Sequence, residues 1–284
     1  MPTRPPVRRR TVWSHGQVPA DLEDLLGIAT GLALGAGELI RSGRAHAAED
    51  VTVKSTPTDV VTAMDHASER YLVAELARQR PDDGVLGEEG ANRVGSSGVR
   101  WVVDPIDGTV NYLYGLPWYA VSIAAEVDRA VVVGVVHNPE SGELFSGVRG
   151  GGAWLGEQRL RCSEKCALGQ ALLSTGFGYD ADRRREQAAV AAALLPRVRD
   201  LRRMGSAALD LCQVAAGRFD GHYEQGLSLW DYAAGALIAA EAGARVQGLR
   251  GAPAGTDCVI AAGPMIFPAF RAVLEELIPA GRTH

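Results

Sequence analysis

The chain has 284 residues, 46% of them hydrophobic, and a formal net charge of −5. That length makes one large domain or two of ordinary size, and the apolar content is enough for a substantial core. The acidic balance argues against a nucleic-acid binder working through bulk charge. Cys162, Cys166, Cys212 and Cys258 form no CxxC and have no histidine placed to complete a zinc site, so they read as reduced thiols of a cytoplasmic protein. The opening "MPTRPPVRRR" is basic, with no apolar run behind it resembling a signal peptide. Residues 1–20 are expected to be a disordered extension.

A helix is predicted over residues 21–42, where Leu22, Leu25, Leu26, Ala29, Ala36, Leu39 and Ile40 recur at helical spacing. Its most apolar stretch, Leu25 to Gly37, falls short of the roughly 20 residues a bilayer requires, so no membrane is expected. "VTAMDHASERYLVAELARQ" predicts a second helix, capped by Thr62 with Asp65 closing a capping box. Short strands follow around Val85-Leu86 and Val99–Val103. "WYAVSIAAEV", "AVVVGVVHN" and "ELFSGV" then read as strands joined by turns at Asp128-Arg129 and at 138–142. The glycine-rich "RGGGAW" reads as a further turn, and it lacks the GK[ST] of a phosphate-binding P-loop.

From about residue 165 strands alternate with helices. "ALLSTGF", "GHYEQG", "ARVQGL" and "DCVIAAG" read as strands, and helices are predicted over 183–195, 204–219, 229–244 and 264–277. An α/β second half thus follows an α+β first half.

Four clusters carry carboxylates where elements begin or end: "KSTPTDVVTAMD" (54–65), "GEEG" (87–90), "DPIDGT" (104–109) and "WDYAAG" (230–235). Taken singly, most have plain explanations. An aspartate in a first helical turn meets the helix dipole, and "GEEG" is an ordinary acidic turn. "DPIDGT" is harder to dismiss, because an apolar residue sits between its two acids where a surface turn would be polar. Haloacid-dehalogenase phosphatases carry D-x-D-G-T; the spacing here is one residue longer and does not fit that chemistry.

Together, "WVVDPIDGTVNYLY", "LWDYAAGALIAAEAGARV", "GEE" and "DVTVKSTPTDVVTAMD" resemble the motifs of the inositol monophosphatase family of magnesium-dependent, lithium-sensitive phosphomonoesterases, over roughly residues 21–280. The resemblance implies a layered αβαβα sandwich of the kind shared with fructose-1,6-bisphosphatase. Residues 21–164 would form an α+β half with most metal ligands, and 165–284 an α/β half with Asp231, making one catalytic unit. Two to three Mg²⁺ ions are implied. One would take Glu88, Asp104 and the Ile106 carbonyl, a second Asp104, Asp107 and Asp231, and a weaker third Glu88 with waters. The implied catalytic groups are Thr109, Asp65 and Glu88, with the attacking water oriented by Thr109 and the Thr109 hydroxyl held by Asp65. Asp107, Gly108, Thr109 and Asp231 would surround the phosphate, and Gly205, Ser206, Ala207 and Glu224 the polyol. Lys54 matches a lysine on the family's active-site loop.

The implied reaction is hydrolysis of myo-inositol monophosphate. Histidinol phosphate, fructose 1,6-bisphosphate and 3'-phosphoadenosine phosphate are alternative substrates within the fold. A homodimer is implied, and a regulatory role at the transcription machinery is the competing class of function.

Overall fold

The computed structural model describes residues 20–46, 51–53 and 60–279. Lys54 and the N-terminal extension lie outside the described residues. In chain order the elements are α1 (Ala20–Gly43), β1 (Val51–Val53), β2 (Val60–Thr62), α2 (Ala63–Gln79), β3 (Gly84–Gly87), β4 (Asn92–Arg93) and β5 (Val99–Asp107). Next come α3 (Thr109–Leu113), β6 (Ala120–Val127), β7 (Ala130–Asn138), β8 (Glu143–Val148), β9 (Gly152–Leu155) and β10 (Gln158–Arg159). The second half contributes β11 (Leu172–Thr175), α4 (Ala181–Leu194), β12 (Asp200–Arg202), α5 (Ala207–Ala215) and β13 (Gly221–Glu224). It ends with α6 (Leu229–Glu241), β14 (Arg245–Gln247), β15 (Val259–Ala262) and α7 (Phe267–Leu277).

Two main sheets result. One has eight strands in the order β10-β9-β8-β7-β6-β5-β3-β4, the other five in the order β12-β11-β13-β15-β14. α1 and α2 cover one face of the larger sheet; α5 and α6 fill the space between the sheets, and α7, joined by α4, backs the smaller one. The layering is therefore αβαβα, as the resemblance implied. Strand alternation explains the division. Trp101, Val103, Val121 and Ile123 pack outward under α1, while Val102, Ala120 and Ala124 face α5 and α6. The central core draws Ala208, Leu211, Ala234 and Ile238 from the second half onto strands of the first.

α1 matches the predicted helix to within one residue at each end. By length and composition alone Asp21–Gly43 is apolar enough to cross a membrane. Its stripe of Leu25, Ala29, Leu32, Ala33, Ala36 and Ile40 is instead buried against the sheet and α2, which is the placement of a core helix.

Several boundaries differ from expectation. "RGGGAW" is a turn only in its first part, because Gly152–Leu155 forms β9. The predicted helix from 204 starts at Ala207, since Ser206 caps it and Gly205 sits at φ +97°. The last helix starts at Phe267, with Pro268 inside its first turn. β5 does not stop at Val103 but runs through the acidic motif to Asp107.

Candidate active site

That extra length decides the site. On a regular strand, residues three apart point to opposite faces, so Asp104 and Asp107 could not share a cleft. The register resolves this: Asp104 pairs with Ser122 and Asp107 with Ala120, leaving Pro105 and Ile106 opposite the single residue Val121. This is a β-bulge, placed where proline has no N–H to give the ladder. The extra residue restores both aspartates to the inner face and leaves Ile106 packed in the outer core, fully buried. Ser68 of α2 donates to the Pro105 carbonyl at 3.3 Å and Ile106 N–H to Asp104 Oδ1 at 3.0 Å, fixing the bulge from both sides.

Gly108 follows at φ +96° and caps α3. A Cβ there would stand 3.0 Å from the Trp118 carbonyl and 3.1 Å from that of Gly205, so only glycine fits. Asn111 staples this turn to the second half, donating at 2.8 Å to both the Trp118 and Met204 carbonyls.

Thr109 Oγ lies 3.1 Å from Asp65 Oδ1 and 3.0 Å from the Ile106 carbonyl. The hydroxyl has one proton, so it donates along only one of these at a time. Asp65 is fully buried in the first turn of α2, where Thr62 N–H (2.8 Å) and Thr62 hydroxyl (2.6 Å) both donate to its other oxygen, completing the predicted capping box. Burial pushes the Asp65 carboxyl above its ordinary value, and the Thr62 donors oppose that.

Asp104 and Asp107 are buried, at 1% and 9% exposure, with Asp231 and Glu88 partly so. Burial, then repulsion from Glu88, Asp107 and Asp231, holds Asp104 well above the usual carboxylate range, and Glu88 also hydrogen-bonds it. Asp231, in the first turn of α6, is raised by burial and then by Asp107 and Glu88, although Ser228 N–H donates to it at 2.6 Å. Burial lifts Asp107 to about 6 against donors at the start of α5: Ser206 hydroxyl at 2.6 Å and Ala208 N–H at 2.7 Å.

Glu88, Asp104, Asp107 and Asp231 are thus brought together from one strand, a turn and a helix. Among the described residues no three histidine, cysteine, aspartate or glutamate side chains stand at separations that already enclose an ion. The set nonetheless fits a hard cation, because its donors are all oxygen and the carboxyls raise one another.

Across a cleft of about 310 Å³, which Asp107, Gly108, Gly205, Ala207 and Asp231 also line, stands Glu224 at the end of β13. Burial raises its carboxyl to about 8, Asp107 adds to the shift and Arg203 opposes it. Gly205 and Ala207 line the cleft, whereas Ser206 between them is buried, and its hydroxyl and the Ala208 N–H are directed to Asp107.

Several contributors carried no signal that reading the sequence picked up. Glu69 of α2 accepts from Glu89 N–H (2.7 Å) and Ala91 N–H (2.9 Å) and so shapes the "GEEG" turn. A Cβ on Gly87 would lie 2.2 Å from Glu69 Oε2, so the first glycine of that motif makes room for it. Arg183 and Arg203 also line the cleft. Arg203 directly precedes "MGSAA", which is the one cue that could have found it.

The inositol monophosphatase family profile matches residues 21–280. An inositol-1-monophosphatase of Mycobacterium leprae is 48% identical over 276 residues, covering 90% of this chain and 95% of that protein. A Pasteurella multocida protein named Nus factor SuhB is 40% identical, again covering 90% and 95%. The solved structure of Mycobacterium tuberculosis SuhB is 44% identical and superposes with a TM-score of 0.78, covering 90% of this chain and 97% of that one. With the bulged acidic strand, the capped Asp65 and the layered sandwich already described, these matches establish that the chain belongs to the inositol monophosphatase family.

Proposed function

We propose that the chain is a magnesium-dependent phosphomonoesterase that hydrolyses myo-inositol monophosphate to inositol and phosphate. The observation that carries this reading is the gathering of four carboxyls, Glu88, Asp104, Asp107 and Asp231, with no cationic side chain among the groups that shift Asp104 most. Two or three Mg²⁺ ions would be held by these carboxylates and the Ile106 carbonyl. When bound they supply neutralisation of phosphate charge, an acidified water and stabilisation of the departing oxygen.

The chain's own residues do the rest. The Thr109 hydroxyl, when it donates to ionised Asp65, presents a lone pair to the cleft and can accept a hydrogen bond from the attacking water, orienting it. Asp65 acts through Thr109 and is a positioning residue. The Ile106 carbonyl keeps a lone pair beyond the one facing Thr109. The backbone of Gly108, the N-cap of α3, lines the cleft, where phosphate oxygens can approach it and Thr109. Asp107, fixed by Ser206 and Ala208, sits between the phosphate and polyol ends, and Glu224 and the Gly205–Ala207 segment face the sugar hydroxyls.

The test is a substrate panel with the purified chain, comparing inositol 1-phosphate with histidinol phosphate, fructose 1,6-bisphosphate and 3'-phosphoadenosine phosphate. Magnesium is removed by EDTA and restored, and lithium is then titrated in. Preference for inositol 1-phosphate, dependence on magnesium and inhibition by lithium are expected; preference for another ester would overturn the substrate. Sedimentation of the same sample tests the homodimer.

A second reading, regulatory binding to the transcription machinery, draws on the 40% identical relative named a Nus factor. Co-purification by the Asp104→Asn variant, with and without residues 1–20, separates binding from turnover.

A further inference from the structure

His222 lies on β13 two residues before Glu224, so both side chains leave the strand on one face. Tyr223 between them points the other way and meets Phe270 edge-on, ring centroids 6.0 Å apart. His222 is fully buried. Its Nδ1 has a partner: Ser174, directly across on β11 in the parallel register, stands 2.9 Å away through its hydroxyl. Asp210 of α5 lies behind the same nitrogen, Oδ2 at 3.8 Å.

Nε2 makes no hydrogen bond. It faces Glu224 Oε2 at 3.6 Å, a few tenths of an ångström beyond hydrogen-bonding distance. Gly176 also lies against that carboxyl, where a Cβ would stand 1.9 Å from Glu224 Oε1 and 2.2 Å from Oε2. Glu224 therefore packs against both the bare backbone of Gly176 and a buried imidazole edge. Leaving a buried N–H unpaired is unfavourable, so a small movement of the carboxyl toward Nε2 is favoured.

In the tautomer in which the Ser174 hydroxyl donates to Nδ1, the neutral ring carries its proton on Nε2, directed at Glu224. Burial keeps the ring neutral by depressing its pKa to about 3.

We propose that His222 is a positioning residue for Glu224: its Nε2–H holds the carboxyl in the orientation that recognises a hydroxyl of the substrate, and so sets polyol specificity. This rests on the polyol-phosphate reading of the cleft.

Its test compares inositol 1-phosphate with p-nitrophenyl phosphate, which has no hydroxyl for Glu224 to read. His222→Phe is expected to raise KM for inositol 1-phosphate about fivefold or more, the worth of one hydrogen bond, with kcat little changed. KM for p-nitrophenyl phosphate should stay where it is. His222→Gln, whose amide N–H can reach the same place, should restore much of the affinity and also covers the case in which the phenylalanine variant does not fold. Equal changes for both substrates, or no change for inositol 1-phosphate, would overturn the proposal.

Nitrogen-15 NMR of the His222 ring supplies a readout independent of turnover. Glu224→Gln should move the Nε2 resonance and leave Nδ1 nearly in place; an unmoved Nε2 sinks the pairing. Should the wild type cleave p-nitrophenyl phosphate but not inositol 1-phosphate, the substrate reading fails, and the NMR result still decides whether His222 holds Glu224.

Discussion

Asp104→Asn should stabilise the metal-free protein while removing its activity. Asp104 is 1% exposed, and burial and three neighbouring acids all raise it. Two like charges 4 Å apart repel by about 4 kcal/mol at an effective dielectric of 20. A net gain of about 1–3 kcal/mol is expected, or roughly 2–10 °C in Tm for a chain of this size. The asparagine oxygen can still accept from Ile106 N–H, so the bulge survives.

The sign with pH is fixed by the direction of the shift. A carboxyl raised by folding costs nothing below its unfolded pKa, and the full penalty appears only above its folded pKa. The advantage of the variant should therefore be largest at pH 8 and shrink on acidification to pH 4. Thermal unfolding in EDTA and in magnesium is the assay. Magnesium should raise the wild-type Tm, because a ligand that binds only the native state stabilises it, and should act weakly on the variant. A variant less stable than wild type in EDTA at pH 8 would refute the reasoning, since the cluster would then not be a strained set of anions.

Thr109→Val keeps the shape and removes the hydroxyl, so kcat should fall by roughly 10²–10⁴ with KM little changed, and Thr109→Ser should keep most activity; steady-state kinetics decide this. Gly176→Ala drives a methyl into Glu224 Oε1 and should raise KM for inositol 1-phosphate while sparing p-nitrophenyl phosphate. Asp83 is raised by burial, but Arg80, Ser97 and Trp101 outweigh this and hold its carboxyl below the ordinary value; the buried Trp101 Nε1–H donates to it at 2.9 Å. Asp83→Asn should cost about 1.5–3 kcal/mol in urea unfolding at pH 7. A group depressed by folding gives stability above its unfolded pKa that is lost as pH falls, so the deficit should narrow near pH 3.5.

Much of this protein is decided locally. The helical spacing of Leu25, Ala29 and Ile40 fixes α1. The Thr62–Asp65 pair fixes the start of α2 because a capping box involves only neighbours in sequence. Strands 130–138 and 143–148 follow from alternation and from Asp128-Arg129, both of which take positive φ in the turn. Family membership was legible for the same reason, since its motifs are short and contiguous.

Tertiary structure decided what depends on partners distant in sequence. D-x-x-D places its two acids together only because β6 forces a bulge at Pro105-Ile106. The "GEEG" turn takes its shape from Glu69, some twenty residues earlier. Asp107 is held by the first turn of α5, a hundred residues later, and Glu224 packs against Gly176, just past the end of β11, and His222 on β13. No pattern in one dimension encodes those approaches, because burial and hydrogen-bond partnership arise only when the layers close.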